Sequence, residues 1–320
     1  MTMLLNLLMS ALSQGMLYAP MALGVFVTFR ILRTPDLTVD GSFVFGMTVC
    51  AAVTIAGYPI AALLCGALAG ALAGLCTALL QTKARVEPIL SGILVSTGLY
   101  TINYAVLGGQ SNLYLQRTVT NAQGAVVNES CQTIYRMLSQ QLKGVGGLLK
   151  DANTQVLLLT LVLVAVLVAV LAVFFFTRPG MAIRATGDNE EMVRSSSINA
   201  DRMRTLGVML ANALVAFSGA LLCQQQRYAD LNCGNGMLVM GLASVIIGQV
   251  LGGKRGVIAG LLSAVGGSLV YRIVLQLAYR LDMPSYSVKL LSTLIVILAL
   301  TLPRLRKGLS RQLKKGGARP

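Results

Sequence analysis

Long apolar runs separated by short polar connections dominate the amino-acid sequence. A helix needs roughly 20 apolar residues to cross the hydrocarbon core of a membrane. The continuity of the apolar runs argues against a transmembrane β-barrel, whose short strands alternate apolar and polar residues. The pattern predicts an all-α, polytopic integral membrane protein with about nine transmembrane helices. The runs are residues 4–29, 41–57, 60–81, 88–107, 155–176, 206–224, 236–252, 256–278 and 286–302.

The composition also indicates lipid as the main solvent. Of the 320 residues, 55 % are hydrophobic and only 12 % are charged, whereas soluble domains carry roughly 25 % charged residues. No Lys or Arg precedes Arg30, so the first run lacks the basic region of a secretory signal peptide. We expect the first run to be retained as a transmembrane helix.

The net charge of +15 lies mainly in connections between the runs. Cytoplasmic loops are enriched in Lys and Arg, so an outside N-terminus and an inside C-terminus would place every basic cluster in the cytoplasm. Nucleic-acid binding is the rival use of a basic chain, but charges scattered between spans argue against it. We therefore predict a multi-pass protein of the bacterial cytoplasmic membrane, surrounded by lipid and without a nucleic-acid partner. The basic clusters fall near residues 30–33, 83–85, 178–204, 254–255 and 304–319.

The chain divides into a transmembrane domain, residues 1–305, and a basic cytoplasmic tail, residues 306–320. The polar segment at about 108–153 lies outside in this topology, as a loop or as a small cap that faces an external partner. Cys131 and Cys233 fall on the same side, where they could form a disulfide. Within the membrane, glycines four residues apart between 66 and 74 favour close helix packing.

The polar connection before the second run carries a distinctive set of residues. Pro35 disfavours helix in the residue before it, so the chain turns near the cytoplasmic face. Asp36, Asp40 and Ser42 follow, and they either cap the next helix or serve a function of their own.

The cytoplasmic loop at about 177–205 predicts a short charged helix. A turn at residues 178–180 precedes acids that favour the first turn of a helix; Ser197 interrupts that helix, and Asn199 or Asp201 can cap the next one. Such a helix suits docking onto a cytoplasmic protein, although a solvated connector would look similar. The candidate docking residues are Gly187, Asp188, Asn189, Glu190, Glu191, Arg194 and Ile198, with Asp188, Glu190 and Glu191 as ionic contacts.

Polar side chains inside the runs indicate a polar pathway or hydrogen bonds between helices. A buried amide without a partner costs roughly 1–3 kcal/mol. Our candidates for lining a pathway are Asn103, Asn212 and Gln249.

The sequence carries no catalytic constellation. It has no histidine, which excludes Ser-His and Cys-His nucleophile pairs, and we predict no metal site. All 11 acids lie in or next to predicted connections, which argues against a proton-coupled carrier. Residues 248–255 nearly match a phosphate-binding loop, but Arg255 replaces the hydroxyl residue. We therefore expect no cofactor and no ATPase in this chain, and any transport energy would come from another subunit.

Three segments resemble one family of ABC importer permeases, the branch related to the branched-chain amino acid and ribose permeases. Residues 35–43 (PDLTVDGSF) are similar to its signature after an early span. Residues 184–190 (RATGDNE) and 198–203 (INADRM) resemble its cytoplasmic coupling loop, and residues 236–248 (GMLVMGLASVIIG) resemble its late helices. The signature residues are Pro35, Asp36, Asp40, Gly41 and Ser42.

The resemblance implies a permease subunit with defined partners. Two permease copies would form a central pathway, each docked by its coupling helix onto a cytoplasmic ATPase that binds ATP and Mg. An extracytoplasmic binding protein would deliver a small solute, such as an amino acid. The alternatives are a stand-alone secondary transporter and a membrane scaffold without transport.

Overall fold

The apolar runs are helices in the computed structural model of the chain. The structure describes residues 2–120, 126–141, 152–252 and 256–280, with isolated positions between 290 and 301. The helices are α1 (Thr2–Phe26), α2 (Val39–Ile55), α3 (Pro59–Thr82), α4 (Pro88–Val106), α5 (Ile134–Gln141), α6 (Ala152–Phe176), α7 (Arg178–Asp188), α8 (Glu190–Ser195), α9 (Ala200–Gln226), α10 (Met237–Gly252) and α11 (Val257–Arg280). The strands are β1 (Asn112–Tyr114), β2 (Gln116–Thr120), β3 (Val126–Ser130) and β4 (Tyr228–Asp230). A π-helical turn, Val27–Leu32, extends α1, and a 3₁₀ turn, Leu231–Gly234, precedes α10.

Eight of the nine predicted spans have a helical counterpart. Seven helices in the described ranges are long and apolar enough to cross a membrane, and α2 is a shorter apolar helix of 17 residues. The ninth predicted span, residues 286–302, falls almost entirely outside the described residues, so the count of nine stays a prediction. The predicted all-α, polytopic membrane architecture is confirmed.

The spans differ sharply in how much of their surface other helices cover. The most hydrophobic window of α1 with its π turn is 83 % buried, and that of α9 is 72 % buried. The corresponding window of α6 has a mean hydropathy of 3.4 and is only 17 % buried. A helix that is apolar all round and barely covered faces lipid. Helices α1 and α9 therefore form the centre of the bundle, and α6 lies at its rim.

Small residues bring the central helices into backbone contact. A Cβ on Gly70 of α3 would lie 2.3 Å from the carbonyl oxygen of Asn212 in α9. A Cβ on Gly46 of α2 would lie 2.1 Å from the carbonyl oxygen of Ala216, also in α9. Neither position can hold a larger residue, so the glycine repeat predicted for close packing joins α3 to α9.

The described part of the outer polar segment forms a small cap. Strand β1 pairs antiparallel with β4, and β2 pairs antiparallel with β3. Near the end of α9, Gln224 accepts a hydrogen bond from the Ile134 N–H (3.0 Å) and donates one to the Pro59 carbonyl (2.6 Å). These contacts tie the cap to the outer ends of the spans. The disulfide considered for Cys131 and Cys233 is not formed.

Between α6 and α9, the chain is more helical than its sequence predicts. Residues 178–180, predicted as a turn, instead begin α7. Pro179 lies in the first turn of this helix, where its missing N–H leaves no hydrogen bond unmade.

The short charged helix predicted in this loop is present as α8. It begins at Glu190, and the Asn189 side chain accepts a hydrogen bond from the Met192 N–H (3.1 Å). The interruption predicted at Ser197 is a left-handed residue with a φ of 60°. Asn199 then caps α9 by accepting a hydrogen bond from the Arg202 N–H (3.0 Å).

We predict that the cap containing β2 lies outside the cell and that the loop after α3 lies in the cytoplasm. In a variant without native cysteines, Arg117→Cys on β2 should react with a membrane-impermeant maleimide in intact cells. Lys83→Cys, just after α3, should react only after permeabilisation, because both positions are exposed but lie on opposite sides. The reverse labelling pattern would show that the assigned orientation is wrong.

Candidate functional site

Helix α2 begins among other helices instead of at the membrane surface. After the π turn ends at Leu32, residues 33–38 lead back into the bundle. Leu37 packs against Gly92 of α4, where an added Cβ would lie 2.7 Å from the Leu37 nitrogen. The hydroxyls of Thr38 and Thr77 in α3 lie 2.8 Å apart. The 17 residues of α2 span about 25 Å, less than the roughly 30 Å of a hydrocarbon core.

A buried carboxylate joins the start of α2 to α9. Asp36 is 3 % exposed, and its Oδ1 accepts a hydrogen bond from the Thr38 N–H (2.9 Å). Its Oδ2 accepts a hydrogen bond from the Asn212 amide (2.7 Å), which also donates to the Val208 carbonyl (3.0 Å). Ser42 donates to Asn212 Oδ1 at 2.7 Å. We call Asp36, Ser42 and Asn212 the buried triad. It places two signature residues and one predicted pathway amide in a single network.

Helix α10 also begins inside the protein. The 3₁₀ turn before it packs on α2: a Cβ on Gly234 would lie 2.5 Å from the Asp40 carbonyl oxygen. Asp40 Oδ1 accepts a hydrogen bond from the Leu238 N–H (2.8 Å), and Oδ2 accepts one from the Gly236 N–H (3.3 Å). An acid at a helix N-terminus satisfies otherwise unpaired N–H groups and complements the helix dipole.

The signature residues Asp40 and Ser42 therefore do not cap the helix in which they lie. Asp40 caps α10 and not α2, and Ser42 bonds to Asn212. The N-cap of α2 is Thr38, whose side chain makes no capping hydrogen bond. Of the two alternatives for these residues, capping of the adjacent helix does not hold for Asp40 and Ser42, because Asp40 serves a helix almost 200 residues further along the chain.

A small polar cavity lies beside Asp40. Its volume is about 60 Å³, which is space for one or two water molecules and not for an amino acid. Asn103 is buried next to it, donates to the Gly41 carbonyl (3.5 Å) and accepts from the Thr48 hydroxyl (3.2 Å). The sequence analysis missed Ser96 and Tyr100 of α4, although polar residues recur along the second half of this span. The lining residues are Asp40, Gly41, Val44, Ser96, Tyr100, Asn103, Leu231, Gly234 and Asn235.

The third predicted pathway amide lies elsewhere. Gln249 is half-buried and faces a cavity of about 280 Å³ lined by the π turn after α1, by α7, by the end of α10 and by the start of α11. Arg30, Arg33 and Arg184 line the same cavity. The structure thus brings neither Asn103 nor Asn212 into one described cavity with Gln249. Their role in lining a pathway stays a prediction.

Ion pairs within the chain connect α7 and α8 to the end of the extended α1 and to α9. Arg33 pairs with Asp188 at the end of α7. Glu190 pairs with Arg194 (2.9 Å) and with Arg204 of α9. The hydrogen bond to Glu190 raises the pKa of the Arg194 guanidinium.

Two of the predicted ATPase contacts are therefore engaged inside the chain. Asp188 bonds to Arg33 and Glu190 bonds to arginines, whereas Glu191 is exposed and forms no ion pair within the described residues. Exposed apolar side chains lie near it, with Met192 52 % and Ile198 39 % exposed. Gly187 has another role, because an added Cβ would lie within 1.8 Å of the Ile31 carbonyl oxygen. It lets α7 touch the end of the extended α1.

Comparison with known proteins identifies the family. The family model described as "Branched-chain amino acid transport system / permease component" matches residues 7–300. The chain belongs to this family. Members are transport components, which agrees with the polytopic fold and with the resemblance carried by the signature motif.

Curated relatives span nearly the same length as this permease component. This chain is 32 % identical over 291 residues to the tyrosine transport system permease protein of Clostridioides difficile, and the match covers 91 % of this chain and 89 % of that one. It is 24 % identical over 299 residues to the ribose import permease protein RbsC of Escherichia coli, covering 92 % and 84 %. An uncharacterized protein of Rickettsia prowazekii is 25 % identical over 302 residues, covering 93 % and 98 %. No solved structure gives a significant match.

We predict that Asn212 stabilises the fold of the permease and that Gln249 does not. Asn212→Leu removes the amide that donates to Asp36 and leaves a buried carboxylate short of a donor. The loss should be roughly 1–3 kcal/mol, visible as a lower unfolding temperature in detergent. Gln249→Leu, at a half-buried cavity wall, should change stability by about 0.5 kcal/mol or less. Equal unfolding temperatures for Asn212→Leu and the parent would remove the structural role assigned to the buried triad.

Proposed function

We propose that the chain is the membrane-spanning subunit of an ATP-driven ABC importer in a bacterial cytoplasmic membrane. Two copies would form the pathway, a cytoplasmic ATPase would supply energy, and an extracytoplasmic binding protein would deliver the solute. ATP and Mg would bind to the ATPase and not to this chain. The observation that carries the proposal is α8, a short helix of a transport-family permease on which Glu191 and Met192 are exposed.

The packing of α8 supports a role in transmitting force. Glu190 is anchored to Arg204 of α9, and Arg194 bonds to Asp201 (2.8 Å) at the start of the same helix. Helix α7 is anchored in turn to the end of α1 by the Arg33–Asp188 pair. A displacement of α8 would thus act on α1 and α9, the two most buried spans. Helix α9 also carries Asn212 of the buried triad.

The exposed face of α8 supports docking of a protein partner. Met192 of α8 and Ile198 in the connection after it are exposed apolar side chains, and Glu191 precedes Met192 in α8. Interfaces are enriched in methionine at their centre and in charges at their rim. We now assign the ionic contact to Glu191 alone, since Asp188 and Glu190 hold the loop together.

The relatives support an amino acid as the solute. The name of the C. difficile protein specifies tyrosine, whereas RbsC, which is less similar, is named for ribose. We therefore propose an amino acid or similar small solute and take L-tyrosine as the first compound to test.

One buried and one half-buried acid favour a second candidate, a secondary transporter that works alone. The sequence analysis placed every acid in or next to a connection, but Asp36 is buried inside the bundle and Asp40 lies in the first turn of α2. Buried acids are typical of proton relays. Each of these acids, however, accepts hydrogen bonds from two donors within the protein, which favours a structural role.

We predict that Met192 contributes to ATPase docking. Met192→Glu puts a charge into the proposed apolar contact, so it should lower co-purification of the ATPase at least tenfold while leaving the unfolding temperature of the permease unchanged. The matched control is Met137→Glu, since Met137 is an exposed methionine (40 %) on the short outer helix α5. Unchanged co-purification with Met192→Glu would remove α8 from the interface and leave the ATPase partnership without support from this structure.

A further inference from the structure

An arginine lies within the last described span. Arg272 follows Ser268 of α11 by one turn, and Ser268 donates a hydrogen bond to the Gly15 carbonyl of α1 (2.8 Å). It precedes Arg280, the end of the helix, by eight residues, or about 12 Å. A charge at this depth is costly in lipid and marks functional positions in membrane proteins.

An aromatic ring, and not an acid, stabilises this charge in the described structure. The guanidinium carbon lies 3.5 Å from the centroid of the Tyr18 ring in α1. Tyr18 stacks in turn on Phe43 of α2, with centroids 6.0 Å apart and planes 6° from parallel. A cation over a ring face is attracted by the negative face of the ring. No ion pair of Arg272 occurs among the described residues.

The hydrogen-bonding capacity of the guanidinium is not fully used. The Nε atom of Arg272 is buried and has no acceptor in the described part of the chain. The residue as a whole is only half-buried, so it is not sealed in the core. Stacking holds the planar group by its face, and an unpaired donor remains at its edge.

The position suits a solute that enters from outside. Helix α11 runs from the cytoplasm outward in the predicted topology, so Arg272 lies in its outer half. The stacked Phe43 follows the buried triad residue Ser42 directly in α2. The Arg272–Tyr18–Phe43 stack therefore leads from the outer half of the bundle to the interior start of α2.

We infer that Arg272 binds the carboxylate group of the transported solute, an inference that rests on the proposed importer function. A carboxylate matches the planar fork of a guanidinium and accepts two parallel hydrogen bonds from it. It would also neutralise the charge. A neutral sugar hydroxyl could accept a hydrogen bond from the guanidinium but would not neutralise its charge. The solute class is then a small carboxylate such as an amino acid, and Arg272 is a residue that determines specificity.

The test uses the permease assembled with its ATPase and binding protein in liposomes. Uptake of L-tyrosine and the other standard amino acids is followed by mass spectrometry for the parent, Arg272→Gln and Arg272→Lys. The matched control is Arg280→Gln, an exposed arginine at the end of the same helix. Assembly, basal ATPase rate and unfolding temperature are measured for each variant.

The expected result is a selective loss of transport. Arg272→Gln should reduce uptake at least tenfold while assembly and the basal ATPase rate stay within twofold of the parent. Arg272→Lys, which keeps the charge but not the fork, should lose less. Arg280→Gln should transport like the parent.

Several results would overturn the inference. Parental uptake by Arg272→Gln would do so and leave the importer function intact. A loss of uptake matched by a loss of assembly or unfolding temperature would give Arg272 a packing role on Tyr18. An equal loss of uptake in Asp282→Asn, an acid outside the described residues, would identify an internal partner. If the parent assembly imports no amino acid with ATP, the proposed function fails and the inference fails with it.

Discussion

The structure depends on one constraint, which is that α2 and α10 begin inside the protein, away from water. Their first N–H groups cannot be hydrated inside a membrane, so the protein has to supply acceptors. At α10 the acceptor is the carboxylate of Asp40, on the first turn of α2. At α2 the preceding segment is held by Asp36, which is satisfied by Thr38 and by Asn212 of α9. Removing either carboxylate would leave one of these helix starts without its anchor.

These anchors connect parts of the molecule that are far apart in the chain. The buried triad ties α2 to α9, and the ion pairs of α7 and α8 tie the cytoplasmic loop to α1 and α9. The two most covered spans thus connect the cytoplasmic surface to the interior start of α2. The Tyr18–Phe43 stack continues from there to Arg272 on α11. A permease needs such continuity, because a partner that acts on one face has to alter the site on the other.

Local features of the fold could be predicted from the sequence, and the partners of individual side chains could not. Apolar runs predicted the spans, and the cap of α9 was predicted at Asn199 or Asp201, of which Asn199 forms it. The role of Asp40 stayed open because its partners lie on α10, and no local pattern identifies a helix that distant. Asp188 was assigned to an external partner for the same reason, since Arg33 is 155 residues away. The packing role of Gly187 depends on a contact with the end of the extended α1, which only the folded chain shows.

The source of energy distinguishes the importer from a carrier that works alone. Liposomes containing this chain, with and without the ATPase and the binding protein, can be loaded with ATP or given a proton or sodium gradient, and accumulation of labelled L-tyrosine and other amino acids can be measured. The account predicts accumulation only when the ATPase, the binding protein and ATP are all present. Accumulation by the permease alone, driven by an ion gradient and abolished by Asp36→Asn or Asp40→Asn, would contradict it.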